Sequence, residues 1–162
     1  MEEVRAMPRP SNPRETRSPL NLNGRRFVLT SPDADCGQQL EWQTEATAEA
    51  VILRLSGEID LATAPRVSST LRILAEDGHN VIIDLNRLRY IDSTGFKAIL
   101  DANSMFVKKA QRLVLSAPSD VIRKIIDIIE FDKIVPVFAS ADAAKESIRS
   151  NRAPSPQSKS GR

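Results

Sequence analysis

At 162 residues, with 41% hydrophobic residues but only 4% aromatic, the chain has the size of one domain whose core must be filled by aliphatic side chains. The net charge of +2 hides a division: residues 1–39 carry 6 Lys+Arg against 5 Asp+Glu, residues 40–148 carry 13 against 16, and residues 149–162 carry 4 against none. The slightly acidic middle has no dense basic patch and no aromatics interleaved with Arg or Lys. This excludes a stacking nucleic-acid binder, and no apolar run approaches the roughly 18 residues that would span a bilayer.

Residues 1–38 hold five prolines and many Arg, Asn and Ser, and read as a disordered tail. Pro8, Pro10 and Pro13 and the lack of an apolar leader argue against a secretory signal, so the expected location is cytoplasmic. The one cysteine, Cys36, has no internal partner, which fits a reducing compartment. Phe27-Val28-Leu29 is a short apolar run cut off by Pro32-Asp33-Ala34-Asp35.

A domain is expected over 39–149. Leu40 to Thr44 reads as an edge strand and Val51 to Ser56 as a central one, with Val51, Leu53 and Leu55 on one face and Gly57 ending it. Thr63 suits an N-cap and Pro65 a first helical turn. Val67, Leu71 and Leu74 then line a helix ending before Gly78. Val81 to Leu85 is the next strand, followed by a polar connection carrying Tyr90 and Ile91. From Thr94 to Ala110, Phe96, Ile99, Leu100, Asn103, Phe106 and Val107 fall on one helical face.

Arg112 to Ser116 makes another strand, and Pro118 to Glu130 a third helix with Val121, Ile122, Ile125, Ile128 and Ile129 inward. Ile134 to Phe138 is a last strand, Ala141 to Ile148 a closing helix, and residues 150–162 a second disordered tail. Strands alternating with helices imply an α/β fold: a mixed, mainly parallel sheet of four to five strands covered by about four helices.

The chemistry concentrates in Val81 to Leu100. Asp92-Ser93-Thr94-Gly95 stands where a strand hands over to a helix, so Ser93 is expected to be exposed beside first-turn N–H groups that lack intrahelical partners. Such a terminus tolerates a phosphate, although Asp92 opposes it by like-charge repulsion. The competing structural role for Asp92, Ser93 and Thr94 is capping, since all three favour helix starts.

These residues resemble the STAS domain of bacterial anti-sigma factor antagonists, whose pattern is a strand, a short loop, D-S-[ST]-G and an amphipathic helix. Val51-Ile-Leu-Arg-Leu-Ser-Gly-Glu-Ile-Asp-Leu-Ala-Thr-Ala-Pro65 is similar to a second family signature, a strand ending in S-G-E-[IL]-D followed by T-A-P. The resemblance runs from about Leu40 to Ile148. It implies a protein whose unphosphorylated form binds an anti-sigma factor that is also a serine kinase, thereby freeing a sigma factor. Phosphorylation of Ser93 would switch binding off and a serine phosphatase would reset it. The implied partner surface comprises Glu58, Asp60, Thr63, Asp92, Thr94, Gly95 and Phe96. The chain departs from the family where glycine usually ends the second and third helices, at Ala110-Gln111 and Glu130-Phe131-Asp132, and it has Phe96 where leucine is commoner.

An enzyme is not expected. Ser93 is outside any G-x-S-x-G elbow, and the only histidine, His79, precedes the strand that Ser93 follows. No Walker-type loop or Cys/His cluster suggests a cofactor or structural metal, and a cation shared by Asp60, Asp84 and Asp92 is a minor possibility. The alternative within the family is a STAS module that binds without a kinase cycle, as a scaffold or a transporter-associated partner.

Overall fold

The computed structural model describes residues 40–150. The two expected tails lie outside the described residues, apart from Ser150, which caps the last helix. The element order is β1 (Leu40–Ala46), β2 (Val51–Ile59), α1 (Ala64–Glu76), β3 (Val81–Ile91), α2 (Ser93–Lys108), β4 (Leu113–Ser116), α3 (Asp120–Ile128), a 3-10 turn (Phe131–Lys133), β5 (Val137–Phe138) and α4 (Ala141–Arg149). The five strands form one sheet in the order β1-β2-β3-β4-β5. The β1 strand is antiparallel to β2, and all other pairs are parallel. Every parallel step is made by a helical crossover, as parallel strands require.

Alternation along the strands separates two cores. Val51, Leu53, Leu55, Val81, Ile83, Leu85, Leu113 and Leu115 face one side, where they pack with Val67 and Leu71 of α1, Ile99 and Phe106 of α2, and Ile122 and Ile126 of α3. Ile52, Ile82, Val114 and Phe138 face the other and meet Ala144 of α4. Ala98 and Ala102 are buried on α2, where small side chains suit close packing on a neighbouring helix.

Three strands are longer than their sequence suggests, β1 by two residues and β2 and β3 by more. Gly57 does not end β2; it adopts φ +105° at a register shift, and the strand continues to Ile59. The β3 strand runs past Leu85 to Ile91, with Leu88 and Ile91 buried, because a second shift between Arg54 and Ser56 inserts an extra β3 residue opposite β2. The supposed polar connection is therefore strand: Arg87, Arg89 and Tyr90 are exposed residues on a ribbon that outlasts β4. Conversely, the last strand shrinks to Val137–Phe138, since the N–H groups of Ile134 and Val135 both donate back to the Phe131 carbonyl at 3.0 Å and so belong to the turn.

The third helix also departs from expectation. It buries Ile122 and Ile126, whereas Val121, Ile128 and Ile129 face solvent. On α2 the expected face is buried at Phe96, Ile99, Asn103 and Phe106, while Leu100 lies at its margin and Val107 is exposed. At both helix ends where the chain lacks the family's glycine, a non-glycine residue occupies the left-handed region: Ala110 at φ +56° and Glu130 at φ +54°.

Candidate functional site around the start of the second helix

The long β2–β3 pair carries the candidate site on its C-terminal end, where ligands of open α/β sheets gather. Ile59 and Ile91 are register partners at that end, and the Asp92 N–H donates to the Ile59 carbonyl at 3.0 Å. This bond fastens the turn after β2 to the start of α2.

Asp92 is the N-cap of α2. Its backbone is extended, and its Oδ1 accepts from the Gly95 N–H at 2.9 Å. The Asp92 carbonyl accepts from Phe96 N–H at 3.1 Å, the first turn of the helix. Ser93 is the first helical residue and is exposed, and Thr94 is half-buried. Among the described residues, nothing accepts from the N–H groups of Ser93 and Thr94. Two donors and the positive end of the helix thus surround an accessible hydroxyl. Lys97, one turn on, sits at i+4 from Ser93 and holds Asp101 at 2.8 Å. Sequence reasoning missed this cation, although the spacing alone could have revealed it.

Gly95 is there for packing. A Cβ on it would stand 2.7 Å from Ile59 Cγ2 and 2.7 Å from Ile91 Cγ1. The helix start therefore rests directly on the paired isoleucines, which form a floor under Ser93 that the motif does not advertise. Phe96 turns inward as well. Only 7% exposed, it meets the Phe131 ring edge-to-face at 5.0 Å between centroids. Of the residues named for a partner surface, Gly95 and Phe96 thus shape the site from below.

Asp60 and Thr63 build the facing turn. Asp60 Oδ1 accepts from the N–H groups of Ala62 at 3.0 Å and Thr63 at 2.9 Å, and from the Thr63 hydroxyl at 2.9 Å. The Thr63 Oγ1 in turn accepts from Asp60 N–H at 2.9 Å. The Thr63 N–H, followed by its hydroxyl, holds the Asp60 carboxyl below its ordinary value. Thr63 occupies the N-cap position of α1 without a side-chain cap bond, because its hydroxyl serves this turn. It is buried, whereas Glu58 is half-buried and lies 3.8 Å from Arg89.

The structure does not gather the remaining candidates. His79 and Ser93 stand at opposite ends of β3, whose 11 residues span about 36 Å, so no triad forms between them. Asp84 lies on β3 far from Asp92, where it accepts from Asn86 N–H at 2.9 Å and faces Arg54 at 3.6 Å. A cation shared by Asp60, Asp84 and Asp92 is thereby ruled out on distance. No described helix is long and apolar enough to cross a membrane.

The STAS domain family model matches residues 41–144. This chain belongs to the STAS domain family. The STAS domain is similar to the anti-sigma-B factor antagonist of Bacillus subtilis, with 30% identity over 90 residues, 56% of this chain and 83% of that one. Its fold matches the crystal structure of an anti-sigma factor antagonist from Mycobacterium paratuberculosis with a TM-score of 0.63 and 24% identity, over 75% of this chain and 99% of that one. The phosphorylated form of the Bacillus cell fate determinant SpoIIAA aligns with a TM-score of 0.53 and 25% identity, over 67% of this chain and 99% of its own.

Proposed function

We propose that this STAS domain is an anti-sigma factor antagonist whose binding is switched by phosphorylation of Ser93. The unphosphorylated protein binds an anti-sigma factor that is also a serine kinase and so frees a sigma factor. The kinase phosphorylates Ser93, the complex dissociates, and a serine phosphatase restores the hydroxyl. The protein acts by binding, and the chemistry belongs to its partners.

The observation that carries this reading is the setting of Ser93, an exposed hydroxyl on the first residue of a capped helix with unpaired N–H groups beside it. A phosphate there adds about 1.5–2 negative charges. The helix terminus and Lys97 offset them locally, so the fold survives the modification. At a complementary surface the same dianion is bulky and costly to desolvate, and it replaces a hydroxyl able to hydrogen-bond. The names of the Bacillus subtilis and Mycobacterium paratuberculosis relatives support the role, and the SpoIIAA structure supports the modification.

The surface offered to the partner comprises Ser93 with Asp92 and Thr94, flanked by Glu58 and the Asp60–Thr63 turn, while Gly95 and Phe96 hold it in place. Binding of Ser93→Ala and Ser93→Glu to the cognate anti-sigma factor tests the switch. Retained binding by Ser93→Ala and loss by Ser93→Glu is expected. Equal, parent-like binding by both would refute it.

A further inference from the structure

The third helix is more apolar than its packing requires. At 100° per residue, Val121, Ile122, Ile125, Ile126, Ile128 and Ile129 fill about half of its circumference. Ile122 and Ile126 are core, and Ile125 packs at the core's margin. The other half of this sector faces outward: Val121 is 65% exposed, Ile128 79% and Ile129 47%. Ile134, just past the 3-10 turn, adds another side chain at 54%. Isolated exposed apolar residues are ordinary, but a contiguous stripe on one helix is the kind of surface that something covers.

A second copy of the chain is a poor occupant. Nine residues of helix make a strip about 13 Å long, far short of the roughly 20–30 residues per side that a stable interface engages. A strip this small suits a tethered segment, for which a short link supplies an effective concentration of about millimolar. Such a segment exists in the chain. Phe27-Val28-Leu29 is the longest apolar run in residues 1–39, and Arg25-Arg26 precede it.

The connection reaches. Leu40 pairs with Gly57 towards the C-terminal end of β2, the same end of the sheet from which the chain enters α3. Eleven residue steps from Leu29 to Leu40 span up to about 36 Å. Three strand spacings from β1 to β4 amount to about 14 Å, and one helix layer to about 10 Å. At the start of the stripe, Asp120 is exposed and has no ion pair among the described residues, which leaves it available to Arg25 or Arg26.

We propose that Phe27-Val28-Leu29 docks in cis on the outer stripe of α3, formed by Val121, Ile125 and Ile128. The test uses the full chain with Cys36→Ser and Thr30→Cys, carrying a nitroxide at position 30, and measures paramagnetic broadening of backbone amides. The amides of α3 from Val121 to Ile129 should lose most of their intensity while those of α4 keep theirs. Changing Phe27, Val28 and Leu29 together to Ser should restore α3. Unbroadened α3 amides, or broadening that persists in the triple-Ser chain, would overturn the proposal. In a mixture of labelled unenriched chain and unlabelled ¹⁵N-enriched chain, broadening of α3 would overturn it in favour of a second copy. Its absence there, with broadening within one chain, supports it.

Discussion

Replacing Gly95 with alanine adds one methyl group at the closest approach between α2 and the sheet. That Cβ would lie 2.7 Å from both Ile59 Cγ2 and Ile91 Cγ1, and 3.2 Å from Ile59 Cβ. Neither neighbour can yield easily. Both are β-branched, both are buried on paired central strands, and the contacted atoms sit at or next to the branch point. Overpacking of this kind typically costs about 1–3 kcal/mol, and the better helix propensity of alanine returns at most about 1 kcal/mol. A net loss of about 1–2 kcal/mol should lower the urea midpoint by about 0.5–1 M for a domain of this size. The strain falls on the first turn of α2, so Gly95→Ala should also weaken partner binding and slow phosphorylation of Ser93, two residues away. An unchanged or raised midpoint would show that the helix start does not rest on the isoleucine floor.

Ala110→Gly and Glu130→Gly should each raise stability by about 0.5–1 kcal/mol, read as a higher thermal midpoint, because both residues hold positive φ that costs an L side chain. An unaltered midpoint in both would contradict the strained backbone. Phe131→Ala removes the ring that Phe96 meets edge-to-face and should cost about 3–5 kcal/mol in chemical denaturation. A loss below 1 kcal/mol would mean that this contact does not brace α2. For Asp60 the folded pKa lies below the ordinary 3.8, so its bonded carboxylate contributes stability that is present above that value and fades as pH falls through the lowered one. The destabilisation by Asp60→Ala should therefore be larger at pH 7 than at pH 2.5, and equal losses at both would contradict the assignment.

The parts of this fold that depend on local alternation and capping were legible in the sequence. Val51, Leu53 and Leu55 do share a face and Pro65 does lie in the first turn of α1, whereas α2 begins at Ser93, one residue before the expected start at Thr94. The helix ends that lack the family's glycine, at Ala110 and Glu130, are left-handed positions. What stayed hidden was non-local. Gly57 read as a strand end because the bulge that accommodates it is defined only by β3 across from it. Arg87, Arg89 and Tyr90 read as a loop because polar residues on the exposed face of a protruding ribbon look like a connection.

The five positions expected to face inward from α3 carry a sound helical period, but period alone does not say which half of a broad stripe meets the sheet. At the site, Asp92 and Ser93 could be named from the motif. The reason for Gly95 could not, since Ile59 lies 36 positions away in the chain and meets it only through the parallel pairing of β2 with β3.

In the proposed switch, one phosphate on Ser93 decides binding. The direct measurement incubates the protein with its anti-sigma kinase and ATP, maps the phosphate by mass spectrometry, and compares the affinity of the two forms for that partner. A single phosphate on Ser93 and a complex that forms only with the unphosphorylated protein are expected. Phosphate confined to other serines, or equal affinity of both forms, would contradict it.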